Sequence, residues 1–516
     1  MNHRPNRKES ETALVRREAA EAWRRRDFAR FFNQMRKAVR LAPRDAGILL
    51  DLGAGHGMRT EFAEAEQCFE RAVTLATNKT ETLAMIGLHC RNFLRYDLAE
   101  HYLERAGRES SASPDMLAKL AEMNERLRRN AEAETAVSRA LAKDPECQLA
   151  LLVRARLLRS ARQLEDAEQI LRSFLSRTDP DGWSTRIRGW YELGAVLDRQ
   201  ERYDEAMTAL LTAKKMILPH AAPAMTTQQA VQQRLREAGA GLSRDLLEKW
   251  TSADAAPSGR RLALIAGHPR SGTTLLEQLL DAHHGIVSAE ETAIFFETYL
   301  DLRRHHPAEA GMIEILDSQT PSSVAHARTE YLRLMDRFVG VSAADRLLID
   351  KNPSLTALIP AILRVLPQTQ IIVALRDPRD VCLSCFMQPL PINPASSSYL
   401  TLEGTVQEYC SLMGFWQAIK PLLPSPALEV RYEDVVDNVQ GEAERTLRFL
   451  GFDWDPAVLK FAEKARKKLV RSPTYAEVAR PISRGAIGRW RHYRKHLEPY
   501  LAMLAPFVEA FGYDLD

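Results

Sequence analysis

Small residues recur every 34 positions through the first half of this 516-residue chain. Ala65, Ala99, Ala133 and Ala167 keep that step, each followed by Glu, and Ala38, Ala72, Ala106 and Ala140 form a second series. Gly53, Gly87, Ala121 and Ala155 form a third. Such a period means one small supersecondary unit repeated, each copy burying its apolar face against the next. Small side chains at matched positions let two antiparallel helices approach closely. The expectation is a solenoid of six helix-pair units from about Phe28 to Leu218, with the repeat alanines as architecture. The phase slips once, before Trp190-Tyr191-Glu192-Leu193-Gly194 with Ala206 and Ala213, and an insertion of five residues near Asp179-Pro180-Asp181-Gly182 accounts for it. Phe31 and Phe32 stand where later units have Ala-Glu, so the first unit reads as a degenerate cap.

The period and the W-x-x-L-G phrase at Trp190 resemble tetratricopeptide repeats. Such arrays work through their concave face, by peptide binding or self-association, and nothing in the sequence names the ligand. The expected divisions are a charged segment 1–27, helical repeats 28–218, a connecting helix and linker 219–259, and a second domain 260–516. The connecting helix is read over Arg234 to Trp250, after a polar stretch from Pro219 to Gln233.

From Arg261 the pattern changes to short apolar strands alternating with helices: Leu262–Ala266, Leu347–Ile349, Ile371–Leu375 and Leu428–Val430. This predicts a three-layer α/β domain around a parallel sheet, with ligand at the carboxyl ends of the strands. Gly267-His268-Pro269-Arg270-Ser271-Gly272-Thr273-Thr274 lies between the first strand and a leucine-spaced helix. Strand, glycine-punctuated turn and helix start together make an anion cradle. Its spacing is that of a P-loop, but Thr273 replaces the usual Lys and Arg270 sits inside the loop. That suits a phosphate-like group gripped by Arg and hydroxyls better than a Mg-bound γ-phosphate. A second loop, Arg376-Asp377-Pro378-Arg379-Asp380-Val381, follows a strand and opens a helix carrying Ser384.

Together the two loops resemble the sulfotransferases that use 3′-phosphoadenosine 5′-phosphosulfate (PAPS). Pro269 to Leu275, Leu280-Asp281-Ala282-His283 and Glu290-Glu291-Thr292 narrow the resemblance to the tyrosylprotein sulfotransferases and their bacterial relatives fused to tetratricopeptide repeats. The resemblance implies roles. Arg270, Ser271, Gly272, Thr273 and Thr274 would hold the 5′-phosphosulfate, and Arg376 and Ser384 the 3′-phosphate. Tyr432 and Arg489 would complete the nucleotide site. Lys351 would act on the bridging oxygen, Glu291 as general base, and Thr474 on the transition state. Glu290, His268 and His283 are rival bases. Two positions depart from the family: Ala293, where the tyrosylprotein branch has Arg, and Gln388, where a further phosphate Arg is usual. Arg379 is a candidate to supply the missing charge.

The implied partners are PAPS and its product 3′-phosphoadenosine 5′-phosphate (PAP), with a protein or peptide acceptor selected by the repeats, or a homodimer formed through them. No metal is expected, because Arg and Lys supply the positive charge. Lys plus Arg number 71 against 68 for Asp plus Glu, which argues against a nucleic-acid coat. No apolar run reaches about 18 residues and Met1 to Asp27 is charged, so neither membrane span nor secretory leader is expected. The reading is cytoplasmic. Six cysteines are scattered, and Cys382 and Cys385 read as packing thiols rather than a metal or redox pair. Two rivals stand beside the sulfotransferase. One is a P-loop kinase or NTPase using Asp350 as its Mg-holding carboxylate. The other is a non-catalytic scaffold whose transferase half has decayed.

Overall fold

A computed structural model describes residues 7–109, 111–177, 183–252, 260–340, 345–467 and 482–516. The chain divides into two compact units, 1–161 and 162–516. The first holds nine helices among its described residues: α1 (Arg7–Arg24), α2 (Phe28–Leu41), α3 (Ala46–Met58), α4 (Phe62–Leu75), α5 (Lys79–Asn92), α6 (Tyr96–Arg108), α7 (Pro114–Arg126), α8 (Asn130–Lys143) and α9 (Gln148–Ser160). The periodic alanines behave as the period requires. Ala65, Ala99 and Ala133 are at most 2 % exposed. A Cβ on Gly53 would sit 2.5 Å from the Phe69 ring, and one on Gly87 2.6 Å from Leu103. The glycines therefore allow a helix approach that alanine would obstruct.

The repeat series begins earlier than the sequence suggested. Helix α1 comes from the segment read as merely charged, and Ala19 extends the Gly53–Gly87 series one period back. Val15, Ala19 and Ala22 form a core with Phe31, Met35 and Ala38 of α2. Among the side chains described, Glu11, Arg16, Arg17 and Arg24 are exposed, and the density of charge hid the helix.

The second unit opens with α10 (Leu164–Leu175), α11 (Trp183–Arg199) and α12 (Tyr203–Gly241), then α13 (Arg244–Ser252). The expected insertion near Asp179 to Gly182 lies outside the described residues. Helix α12 runs unbroken through Pro219 and Pro223, where the sequence suggested a polar connector. Tertiary contacts override local propensity there. Buried Glu408 accepts hydrogen bonds from Gln228 (2.8 Å) and Gln232 (2.5 Å).

Beyond α13, five parallel strands form one sheet in the order β2-β3-β1-β4-β5. They are β1 (Leu262–Gly267), β2 (Ile286–Glu290), β3 (Leu347–Lys351), β4 (Gln370–Leu375) and β5 (Leu428–Arg431). Four match the sequence expectation, and β2 is additional. Alternation sends Leu262, Leu264 and Ala266 into one apolar core and Ala263 and Ile265 into another. Both faces are covered by helices. Those after β1 and β2 are α14 (Thr273–Asp281) and α15 (Ile294–Arg303), then α16 (Met312–Asp317) and α17 (Pro321–Val339). They are followed by α18 (Ile359–Val365) and α19 (Pro378–Phe386). Among the described residues no helix is long and apolar enough to cross a membrane.

Candidate active site

Each of the five strands delivers a functional candidate at its carboxyl end. β1 leads into the Gly267 loop, β2 into Glu291, β4 into Arg376 and β5 into Tyr432, while β3 ends on Lys351 itself. The register fixes these ends side by side, pairing Glu290 with Lys351, Gly267 with Ala374, and Leu375 with Arg431.

The first loop is held by two glycines that cannot be replaced cheaply. Gly267 has φ +135°, and a Cβ there would lie 2.4 Å from the Ala374 carbonyl oxygen. Its N–H donates to the buried Thr356 hydroxyl at 2.8 Å, and that hydroxyl lies 2.8 Å from the Gly267 carbonyl. Gly272, at φ +89°, caps α14, and a Cβ on it would collide with the Tyr432 ring at 2.6 Å. Ser271, Thr273 and Thr274 are buried at the helix start, where amide N–H groups and the helix dipole favour an anion. Thr356 was not legible in the sequence. Its role depends on a hydroxyl that falls 89 residues downstream of the glycine it braces.

The two anion loops meet. Arg270 Nε donates to Ser384 Oγ at 3.0 Å, and Arg376 donates to the Arg270 carbonyl at 3.2 Å. Arg376 also donates to the Ala486 carbonyl, lies 5.2 Å from the Tyr432 ring centroid, and has a buried Nε with no hydrogen-bond partner. Two guanidinium groups, a hydroxyl and an aromatic face thus converge. That orphaned Nε and this donor set fit the phosphate-bearing end of a nucleotide.

Lys351 is fully buried and surrounded by carboxylates. Its ammonium lies 2.7 Å from Glu291, 3.6 Å from Glu277 and 3.7 Å from Glu290, with Thr274 at 3.5 Å. Burial works to lower its pKa, but the three carboxylates outweigh burial and raise it, so Lys351 stays protonated. Glu290 is 2 % exposed, whereas the Glu291 side chain keeps 30 % of its surface accessible. Of the two, Glu291 is the one open to the surface. Glu277 is an addition to the sequence-read set, a charged residue inside the leucine-rich face of α14 that could have been flagged as anomalous.

The rival residues have other settings. His268 is wholly buried, shares a hydrogen bond with the Pro269 carbonyl at 2.9 Å, and burial pushes its pKa down to about 4. His283 sits past the far end of α14. With His284 and Asp455 it forms the one metal-capable grouping among the described residues. Asp350 points to the opposite sheet face from Lys351, where it accepts a bond from Tyr331 OH at 2.9 Å. Burial pushes its pKa up to about 7, which suits a structural carboxyl rather than a Mg-holding one. Arg379 does not supply the missing phosphate charge. It pairs with Asp377 at 2.8 Å and donates to the Leu515 and Asp514 carbonyls, so it secures the C-terminus instead. Cys382 and Cys385 are buried free thiols, raised by burial, in keeping with packing.

Beyond Gly488 the chain returns to the second loop. The Gly488 and Trp490 amides donate to Asp380 at 2.7 and 2.8 Å. Arg489 pairs with Asp198 of α11 at 2.5 Å. Thr474 lies outside the described residues.

Residues 263–456 match the family model described as "Sulfotransferase family". Zebrafish (Danio rerio) protein-tyrosine sulfotransferase 1 is 24% identical over 278 residues, covering 49% of this chain and 72% of that protein. An uncharacterized protein of Aquifex aeolicus is 22% identical over 329 residues, and the match spans 62% of this chain but only 41% of its length. Among solved structures, the sulfotransferase domain of the Synechococcus PCC 7002 olefin synthase is 23% identical at a TM-score of 0.36, covering 50% of this chain and 96% of that domain. From 263 to 456 the chain carries a sulfotransferase-family domain with homologues among the protein-tyrosine sulfotransferases, behind helical repeats of the tetratricopeptide type.

Proposed function

We propose that the protein transfers a sulfuryl group from PAPS to an acceptor hydroxyl, with the domain from about 260 to 516 as its catalytic part. The observation that supports this most directly is the contact between Arg270 and Ser384, 3.0 Å, which joins the two anion loops into one site. Bound PAPS supplies the sulfuryl group, and transfer makes an oxygen–sulfur bond to the acceptor as the bond to the bridging oxygen breaks. The chain's residues do the rest. The Gly267 loop and Arg270 hold the 5′ end, and Arg376 with Ser384 holds the 3′-phosphate, with Tyr432 and Arg489 beside them. Glu291 takes the acceptor proton, and protonated Lys351 offsets charge developing on the bridging oxygen. Their 2.7 Å pairing keeps acid and base at one point before substrate enters. Thr474 completes the set.

The acceptor we favour is a tyrosine in a protein or peptide, with the repeats as its selector or as a dimer interface. No metal takes part in this scheme. The kinase reading is weakened by Asp350, which faces away from the cradle into an apolar core. The test is mass detection of sulfonated product after incubation with PAPS and tyrosine peptides. Product that disappears with Glu291→Gln and Lys351→Ala is expected. Product formed equally well by both variants, or no product across peptide, carbohydrate and small-phenol acceptors, would overturn the reading.

A further inference from the structure

The segment from Ala486 to Leu497 is held from two sides within the 162–516 unit. On one side Arg376 and Asp380 fix its backbone, and Trp490 lies fully buried with the Arg379 guanidinium 4.1 Å from its ring. On the other side it meets the last repeat pair, α11 and α12. Tyr493 is fully buried in an apolar cluster that combines Ile187, Met207 and Leu210 of the repeat helices with Leu383 and Phe386 of α19. His492 stacks on Tyr203 at 4.4 Å.

At the centre of this contact stands Asp198, in the last turn of α11. One carboxylate oxygen accepts Tyr493 OH at 2.7 Å, and the other pairs with Arg489 at 2.5 Å. Its side chain is 13 % exposed and that of Arg489 33 %, so solvent reaches the pair mainly from the guanidinium side. An arginine held this way spends its rotamer freedom on folding rather than on binding an anion.

We propose that Asp198 is a positioning residue of the donor site: it presets Arg489 for the nucleotide phosphates and makes the α11–α12 pair part of the donor-binding machinery. This rests on the sulfotransferase reading above. It also gives the α11–α12 pair a task besides any partner, since Asp198 links α11 directly to the Arg489 guanidinium.

The experiment is a double-mutant cycle on the full chain, read as PAP affinity by calorimetry. Asp198→Ala should weaken PAP binding about tenfold, and Asp198→Glu should recover part of it. In an Arg489→Ala background, Asp198→Ala should cause no further loss, because the residue acts through that guanidinium. Asp198→Asn keeps the Tyr493 bond and the packing, and serves if the alanine variant unfolds. Unchanged affinity in Asp198→Asn and Asp198→Ala, or a loss that adds fully to that of Arg489→Ala, overturns the inference while leaving the donor site standing. A wild-type chain that fails to bind PAP removes the sulfotransferase reading itself, a separate outcome.

Discussion

Eight non-glycine residues among those described hold a positive φ, and their distribution separates architecture from chemistry. Arg26, Thr60, Leu94, Arg128 and Arg162 recur 34 residues apart, and Glu201 follows after the phase slip, each at the turn between two helices. The two left over are Arg270 and Glu291, both proposed to act at the reacting group. A non-glycine residue held there costs about 1–3 kcal/mol, and such strain gathers at functional sites. Glu291→Gln should therefore fold normally and bind PAP as before, yet lose transfer by about 100-fold or more, as measured by product formation. His268 gives a stability signature instead. Its folded pKa of about 4 lies below the ordinary 6.5, so the unfolded chain takes up the proton first as pH falls. The stability it contributes is complete above pH 6.5 and is lost down to pH 4, on the order of 3 kcal/mol. Melting temperatures of wild type should fall across that window more steeply than those of His268→Gln. Parallel curves would count against a neutral buried imidazole.

At the scale of elements, α19 does the joining. Its Asp377 caps the helix, Asp380 takes two amides of the returning chain, and Ser384 meets Arg270. Arg379 turns the other way and ties down the C-terminus, so its loss should be structural. Arg379→Ala leaves buried Asp377 unpaired and should cost about 3–5 kcal/mol by chemical denaturation. At temperatures where the variant remains folded, PAP affinity should stay within a few-fold of wild type. Gly267→Ala tests the cradle similarly. The clash is with backbone, which cannot swing aside, so destabilisation of about 2–3 kcal/mol is expected in the same assay. These elements were unequally legible. Four strands and the Gly267 loop followed from apolar runs and glycine spacing, and the Arg376 loop from its place between a strand and a helix, because each signal is local. Strand β2 was missed since Ile286–Glu290 is short and ends in Glu290, which only its place beside β3 explains. Helix α12 was cut short in the reading because Pro219 to Gln233 is a polar stretch, and the Glu408 contacts that sustain it come from up to 180 residues away.

Across the whole molecule, the repeat period announced one architecture and the anion loops another, and both are present. What sequence could not convey is where one ends. The compact unit carrying the sheet begins at Arg162, so the last repeat helices share its core with α19. Thr356 and Asp198 were likewise invisible, since each gains meaning only from a distant partner. The proposed function stands or falls on the donor site that these pieces enclose. Calorimetric titration of the full chain with PAP, beside AMP and ATP with Mg, on wild type and Arg376→Ala, tests it most directly. We expect PAP to bind without metal, AMP to bind more weakly, and Arg376→Ala to lose affinity about 100-fold. Binding only of ATP with Mg, or PAP affinity indifferent to Arg376, would contradict a PAPS-dependent transferase.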